Sequence, residues 1–199
     1  MDIFSLHQLF VQTVARLYTA LARRSLARCG QGTLILFPTR IDNPSRIEIG
    51  CNTVISQHCF IVAPREYVGE QFSGRVIIGD KVIIGRNVQI SAIQNVRIGN
   101  NVGLAPGCIV SDHIHDYIHP ETPIMYGPLS SPKPVVIEDD CFIGANTIVA
   151  PGAHIGRHAF IGGNSVVTKD IPPYCMAAGN PAQVLRRYDH DRRQWVSPG

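Results

Sequence analysis

Charge is scarce in this chain. Asp, Glu, Lys and Arg make up 17% of its 199 residues, and the formal net charge is only +3. There is no basic block with interleaved aromatics, which argues against nucleic acid as a partner. No apolar run is long enough to span a membrane. The six cysteines, Cys29, Cys51, Cys59, Cys108, Cys141 and Cys175, form no C-x-x-C pair and follow no metal-ligand spacing. The opening "MDIFSLHQLF" carries an acid where an export signal carries basic residues, and no small-residue cleavage site follows. A disulfide framework is therefore not expected, and the chain reads as a reduced, cytoplasmic protein.

Glycine and proline are plentiful instead, at 18 and 14 residues. That composition favours a turn-rich β fold in a chain long enough for one substantial core. The periodicity is sharper still. From Ile137 an aliphatic residue recurs at every sixth position, through Ile143, Val149, Ile155, Ile161 and Val167. The same phase appears upstream at Ile49, Ile55 and Ile61, at Ile78, Ile84 and Ile90, and at Ile98, Leu104 and Val110. A two-residue slip between Ile90 and Ile98 implies that the units tolerate small insertions. A period of six fits neither an amphipathic helix nor an alternating strand. It fits short strands joined by tight turns, with one aliphatic per unit pointing into a shared core and each coil pairing with the next. Small residues beside each aliphatic, such as Gly144, Gly156 and Gly162, let the backbone bend sharply.

The units "IGDKVI", "IGRNVQ", "IGNNVG", "IEDDCF", "IGANTI" and "IGRHAF" resemble the hexapeptide repeat of left-handed parallel β-helix acyltransferases. The likeness runs over residues 47–182 and extends to "VVTKDIPPYCMAAGNPAQVLRR" (166–187), which is similar to the end of the galactoside, maltose and nodulation O-acetyltransferases. The resemblance implies an all-β solenoid, a left-handed parallel β-helix, that works as a homotrimer. It also implies acetyl-CoA as co-substrate, a carbohydrate acceptor and no metal.

Three segments depart from the repeat. Residues 3–28 read as an amphipathic helix, with Ile3, Phe10, Val14, Leu17 and Leu21 on one stripe and Gly30 and Gly32 ending it. Such a helix covers the open end of a solenoid or a neighbouring subunit. The alternative is a peripheral membrane contact at the inner face, given Arg16, Arg23, Arg24 and Arg28. Residues 65–75 form a short excursion. Residues 112–134 hold five prolines and no hexad, so they leave the coil as a loop, and loops of this length are usually functional or disordered. A short closing helix is expected from Pro181. The chain thus divides into an N-terminal helix (1–32), a β-helix domain (33–180) with the loop 112–134, and a C-terminal helix and tail (181–199).

The loop begins "SDHIHDYIH". His58, His154 and His158 fall at turns of the repeat, and His7 and His190 in the terminal segments, where a solvated imidazole needs no special role. His113 and His115 stand where a strand opens into the loop, and two-residue spacing puts them on one side of an extended backbone. A sugar hydroxyl is a poor nucleophile at neutral pH, and a largely neutral imidazole can take its proton. By resemblance the general base falls on His115, favoured over His113, which would contact the acceptor or orient its partner. Asp112, Asp116 and Glu121 are all candidates to hold the other ring nitrogen. Three histidines could also ligate zinc, as in trimers of the γ-class carbonic anhydrase type. That pattern sets histidines inside the repeats, which this sequence does not do.

The resemblance further implies acetyl-CoA contacts at Ala145, Gly163, Thr168, Lys169 and Arg186. Lys169 and Arg186 would meet phosphates, and a backbone N–H at the turn Gly144-Ala145 would meet the oxyanion. Asn87, Asp112, Tyr117 and Phe142 are the candidate acceptor contacts, Phe142 standing where the sugar enzymes often carry Trp. The expected activity is acetyl transfer to a sugar hydroxyl in bacterial surface polysaccharide biosynthesis, the "HDY" context being similar to the capsule, colanic-acid and O-antigen enzymes. An antibiotic or amino-sugar acceptor is the alternative on the same fold. No acyl-enzyme is expected, since no cysteine stands in the loop.

Overall fold

One aliphatic side chain per six-residue unit points inward, and three units complete a turn of the chain. In the computed structural model, which describes residues 2–130 and 132–197, these side chains stack in three parallel sheets. Ile49, Ile78, Ile98, Ile137 and Ile155 form the column of the first sheet, and Ile35, Ile55, Ile84, Leu104, Ile143 and Ile161 that of the second. Ile61, Ile90, Val110, Val149 and Val167 form the third; every one of these residues is at most 2% exposed. The register is in step from coil to coil: Ile84 pairs with Leu104, and Leu104 with Ile143. The neighbour on the same short strand points outward, as pleating demands, so Ile83, Phe142, Ile148 and Phe160 are exposed beside buried partners. Each fully buried aliphatic is worth roughly 1.5–3 kcal/mol, and the continuous column is what holds strands of two or three residues in place.

The corners are as regular as the strands. Asn52, Asn87, Asn101, Asn146 and Asn164 all sit in the left-handed region, with φ of 53°, 59°, 54°, 56° and 56°. Asn tolerates that conformation better than most side chains. Gly144 follows its aliphatic because a Cβ there would collide with the backbone N of Gly163 in the next coil.

Insertions leave the solenoid along one edge only, where the third sheet hands over to the first. The two-residue slip falls there, between Gln89–Ser91 and Asn95–Ile98. So does the excursion after Phe60–Val62, which folds into a hairpin of Glu66–Tyr67 and Glu70–Gln71. The long loop leaves after Ile109–Ser111 and returns at Val135–Ile137.

Both ends of the chain differ from the sequence expectation. The N-terminal helix α1 runs Ile3–Ala22, capped by Asp2, and stops short of residue 28. Leu26 is buried and Arg28–Cys29 already pairs with Ile47–Ile49, so the first coil begins before residue 33 and captures the end of the expected helix. The face of α1 that covers the solenoid is also not its apolar stripe. Ala15 and Thr19 are buried, Thr19 Oγ1 accepts from the Ile35 N–H at 2.8 Å, and Tyr18 donates to the Thr39 carbonyl at 2.6 Å. Ile3, Phe10, Leu17 and Leu21 stay exposed.

The closing helix expected from Pro181 is absent. Ala182–Asp189 is a strand, antiparallel to Cys175–Gly179 and followed by Gln194–Val196. The last parallel strand leaves an open edge of backbone donors and acceptors. Antiparallel pairing satisfies it, which a helix could not do. Met1, Ser131, Pro198 and Gly199 lie outside the described residues. Among the described residues no helix is long and apolar enough to cross a membrane.

Candidate active site

The loop 112–134 is rooted on one buried carboxylate. Asp112 ends the third-sheet strand with its side chain turned inward and no exposed surface. Its Oδ1 accepts from the Ile93 N–H at 3.0 Å, and its Oδ2 from Gln94 and Asn95 at 2.7 Å each. These are the three residues of the neighbouring corner, where the two-residue slip breaks the ladder and leaves N–H groups without strand partners. The fourth bond joins Oδ1 to His113 Nδ1 at 2.7 Å. Burial pushes the Asp112 carboxyl up, but the His113 bond and the three backbone donors outweigh it and hold the group below its ordinary value.

His113 is held from several sides. Its side chain is 12% exposed. With Nδ1–H donating to Asp112, the neutral ring carries its lone pair on Nε2, which lies 3.5 Å from Ser91 Oγ. Ser111 Oγ accepts from the His113 N–H at 3.3 Å and donates to its carbonyl at 2.8 Å.

His115, by contrast, is exposed. None of the three carboxylates considered for it is its partner among the described residues. Asp112 holds His113, Asp116 caps the Ile118 N–H at 2.9 Å, and Glu121 is exposed on the loop. The polar contact of His115 is the Tyr67 hydroxyl, 3.4 Å from Nδ1, with the two rings edge to face at 5.4 Å. Tyr67 also donates to the Met125 carbonyl at 2.8 Å, tying the small hairpin to the long loop. Neither Tyr67 nor Ser91 was legible as a site residue. Tyr67 meets His115 across 48 residues of sequence, and the only local signal was that both lie where the repeat breaks.

The remaining candidates fall into separate groups. Thr168 and Lys169 are exposed on the same edge as the loop root, two coils further along. Ala145 and Gly163 stack on the opposite edge of the third sheet, where the Asn164 N–H donates to the Ala145 carbonyl at 2.8 Å. Among the described residues neither the Ala145 nor the Gly163 N–H has an acceptor, and nor does that of Arg86 in an earlier coil. Unpaired N–H groups are thus a property of this corner. Asn87 lies on the same corner column, away from the histidines, in the left-handed conformation common to its counterparts.

Phe142 stacks on Phe160 on the outer face of the second sheet, with ring centroids 5.6 Å apart. Arg186 lies on the C-terminal strand and lines a cavity of about 520 Å³ with Phe160, Met176 and Trp195. Tyr117 is exposed on the loop. Asp112, expected among the acceptor contacts, has no exposed atom and spends both oxygens inside the chain, so its work is to anchor.

Among the described residues no three His, Cys, Asp or Glu side chains converge as metal ligands. His113 faces Asp112, His115 faces Tyr67, and His119 leans toward Asp116 at 3.7 Å. The inward cysteines are poor nucleophiles, because burial raises the thiols of Cys59 and Cys108 and pushes Cys141 up to about 11.

Comparison with known proteins agrees with this architecture. The model of the bacterial transferase hexapeptide family (six repeats) matches residues 134–169. The chain is 31% identical to a galactoside O-acetyltransferase of Lactococcus lactis over 148 residues, 70% of this chain and 69% of that one. It is 31% identical over 134 residues to WbbJ of Escherichia coli, named as a candidate lipopolysaccharide biosynthesis O-acetyl transferase. That match spans 61% of this chain and 65%, just under two thirds, of WbbJ. Among solved structures, the hexapeptide-repeat acetyltransferase VCA0836 of Vibrio cholerae, complexed with acetyl-CoA, superposes with a TM-score of 0.57 at 25% identity. The superposition covers 86% of this chain and 76% of that one.

Proposed function

This chain belongs to the bacterial hexapeptide-repeat transferase family, and on that premise we propose that it is an acetyl-CoA-dependent O-acetyltransferase acting on a sugar hydroxyl of a bacterial surface polysaccharide or its precursor. The observation that carries the reading is the anchored loop: Asp112 fixes its root, and His115 stands exposed on the same edge as Lys169. The names of the relatives favour a sugar acceptor, and the left-handed winding belongs to the same reading.

His115 takes the proton of the acceptor hydroxyl as that oxygen attacks the thioester carbonyl; the new C–O bond replaces the C–S bond, and coenzyme A leaves as the thiol after taking that proton back from the imidazolium. An exposed imidazole can reach a bound acceptor, whereas His113 is nearly enclosed. Tyr67, itself bonded to the Met125 carbonyl, holds the His115 ring against the loop. The free N–H of Ala145 supplies an oxyanion donor, and that of Gly163 can bond a narrow amide-bearing arm. Lys169 and Arg186 suit phosphates, and the aromatic wall beside Arg186 suits a planar base. Thr168 lies next to Lys169, and Tyr117, Phe142 and Asn87 are left as acceptor contacts.

Within one chain the corners and the histidine loop lie on opposite edges of the third sheet. A neighbouring copy that brings its corners to this loop would complete the site, and a homotrimer meets that need. Use of acetyl-CoA and a set of free cysteines suits a cytoplasmic enzyme.

Calorimetry of acetyl-CoA binding, followed by turnover on a panel of sugars and amino sugars, tests the reading. Lys169→Ala should weaken binding by about tenfold. His115→Ala should lower kcat by about 10²- to 10⁴-fold with acetyl-CoA affinity retained. A folded protein that does not bind acetyl-CoA overturns the proposal, and turnover confined to amino sugars overturns the acceptor class. A second reading rests on the Asp112–His113 bond, which fixes the tautomer a base needs. Loss of turnover in His113→Ala but not in His115→Ala would transfer the role.

A further inference from the structure

The helix α1 covers the solenoid with its small residues and turns its large ones away. Ala15 and Thr19 make the buried contact, with Tyr18 and Ala22 packed against the core. Leu6, Phe10, Leu17 and Leu21 lie on one stripe pointing outward, 53%, 66%, 64% and 65% exposed. Toward its N-terminus the helix also overhangs the body, where Ile3 and Phe4 are 74% and 81% exposed. Capping an open coil accounts for the first face and leaves the second without a partner. Scattered apolar residues on a surface need no explanation, but a continuous stripe of Leu and Phe along one helix does.

The charges on this segment have one sign. Between Ile3 and Arg28 there is no Asp or Glu, and Arg16, Arg24 and Arg28 are exposed. Arg16 lies on the helix about 80° round from Leu6, and Arg24 follows in the turn just past Ala22. Such arginines can lie along an apolar boundary with their guanidinium groups directed to phosphates. A surface made of this chain's own features would have to offer both an apolar layer and negative charge to match.

We propose that α1 is an interfacial helix, which seats its Leu6–Phe10–Leu17–Leu21 stripe in the headgroup boundary of an anionic lipid membrane while Ala15 and Thr19 stay docked on the first coil. The partner is a lipid surface carrying negative headgroups. The helix would hold the solenoid against that surface without spanning it, in keeping with the absence of a helix long enough to cross among the described residues.

Flotation of the full chain with lipid vesicles tests this. Wild type should float with vesicles of equal parts phosphatidylcholine and phosphatidylglycerol, and bind vesicles of phosphatidylcholine alone at least about tenfold more weakly. The doubly substituted Phe10→Asp, Leu17→Asp chain, whose changes are both on the exposed face, should lose flotation and keep its circular dichroism spectrum and its acetyl-CoA affinity. Arg16→Glu with Arg24→Glu should reduce anionic binding by about tenfold or more, and raised salt should act in the same direction. Absence of wild-type flotation overturns the proposal. If the Phe10→Asp, Leu17→Asp chain instead falls in mass on light scattering while wild type ignores vesicles, a second copy covers the stripe and the lipid reading is wrong.

Discussion

Along the edge between the second and third sheets the chain takes the same six-residue step every time, from Ile84 to Ile90, from Leu104 to Val110, from Ile143 to Val149. Along the edge between the third sheet and the first, the corresponding step runs from Ile61 to Ile78 in one coil and from Val110 to Ile137 in another. The first edge is stacked backbone, where Gly144 lies against Gly163 and Asn146 above Asn164, with no room for an insertion. The second edge admits insertions and then has to secure them. It does so at Asp112, whose four bonds replace the ladder that the insertions interrupt. A solenoid edge can be rigid by repetition or by one well-placed charge, and this molecule uses both.

That contrast can be broken most severely at the carboxylate. Asp112→Ala leaves three backbone N–H groups and His113 without their acceptor in a buried site, and should cost about 3–5 kcal/mol in denaturant unfolding. The contrast is sharpened by acid. Folding lowers the pKa of Asp112, so its contribution is complete above the ordinary value of 3.8 and disappears as pH falls through the lower folded-state value. Unfolding free energies measured down a pH series should therefore fall more steeply below that value in wild type than in Asp112→Asn. A parallel decline in the two proteins would mean that other carboxylates, such as Glu138 beside His154, dominate acid sensitivity. The smallest effect belongs to the loop's outer part. Ile118 is 71% exposed, and Ile118→Ala should change stability by less than about 0.5 kcal/mol. A larger loss would mean that a second copy covers the loop.

Much of the solenoid is legible in the sequence, because its signal is local and repeated. Spacing alone marks Ile137, Ile143, Val149, Ile155, Ile161 and Val167 as inward, and all are at 0% exposure. The ends were harder. α1 is amphipathic as expected, but periodicity reports that a stripe exists and not which way it faces. A small patch of Ala15 and Thr19, in which Thr19 Oγ1 accepts from the Ile35 N–H, decides the orientation. At the C-terminus the sequence of "AQVLRRYD" after Pro181 suggests a helix. It became a strand because the last parallel strand offered an unpaired edge, a demand that lies outside the segment. In the site, the positions of His113 and His115 followed from the break in the repeat, whereas their partners did not. Asp112 is adjacent in sequence to one histidine, yet three of its four bonds go to the residues Ile93–Asn95 of an earlier coil.

Because both excursions leave from one edge, they meet, and the Tyr67–His115 contact is the result. This arrangement separates what must keep its length from what can be rewritten. The segment between Asp112 and Val135 could be exchanged for that of a relative, or lengthened, without moving a single inward aliphatic, provided the carboxylate stays. On the proposed function, acceptor preference and fold can therefore diversify independently in descendants of such a chain: selection can act on the loops of one edge while the stacked coils serve as unchanged chassis.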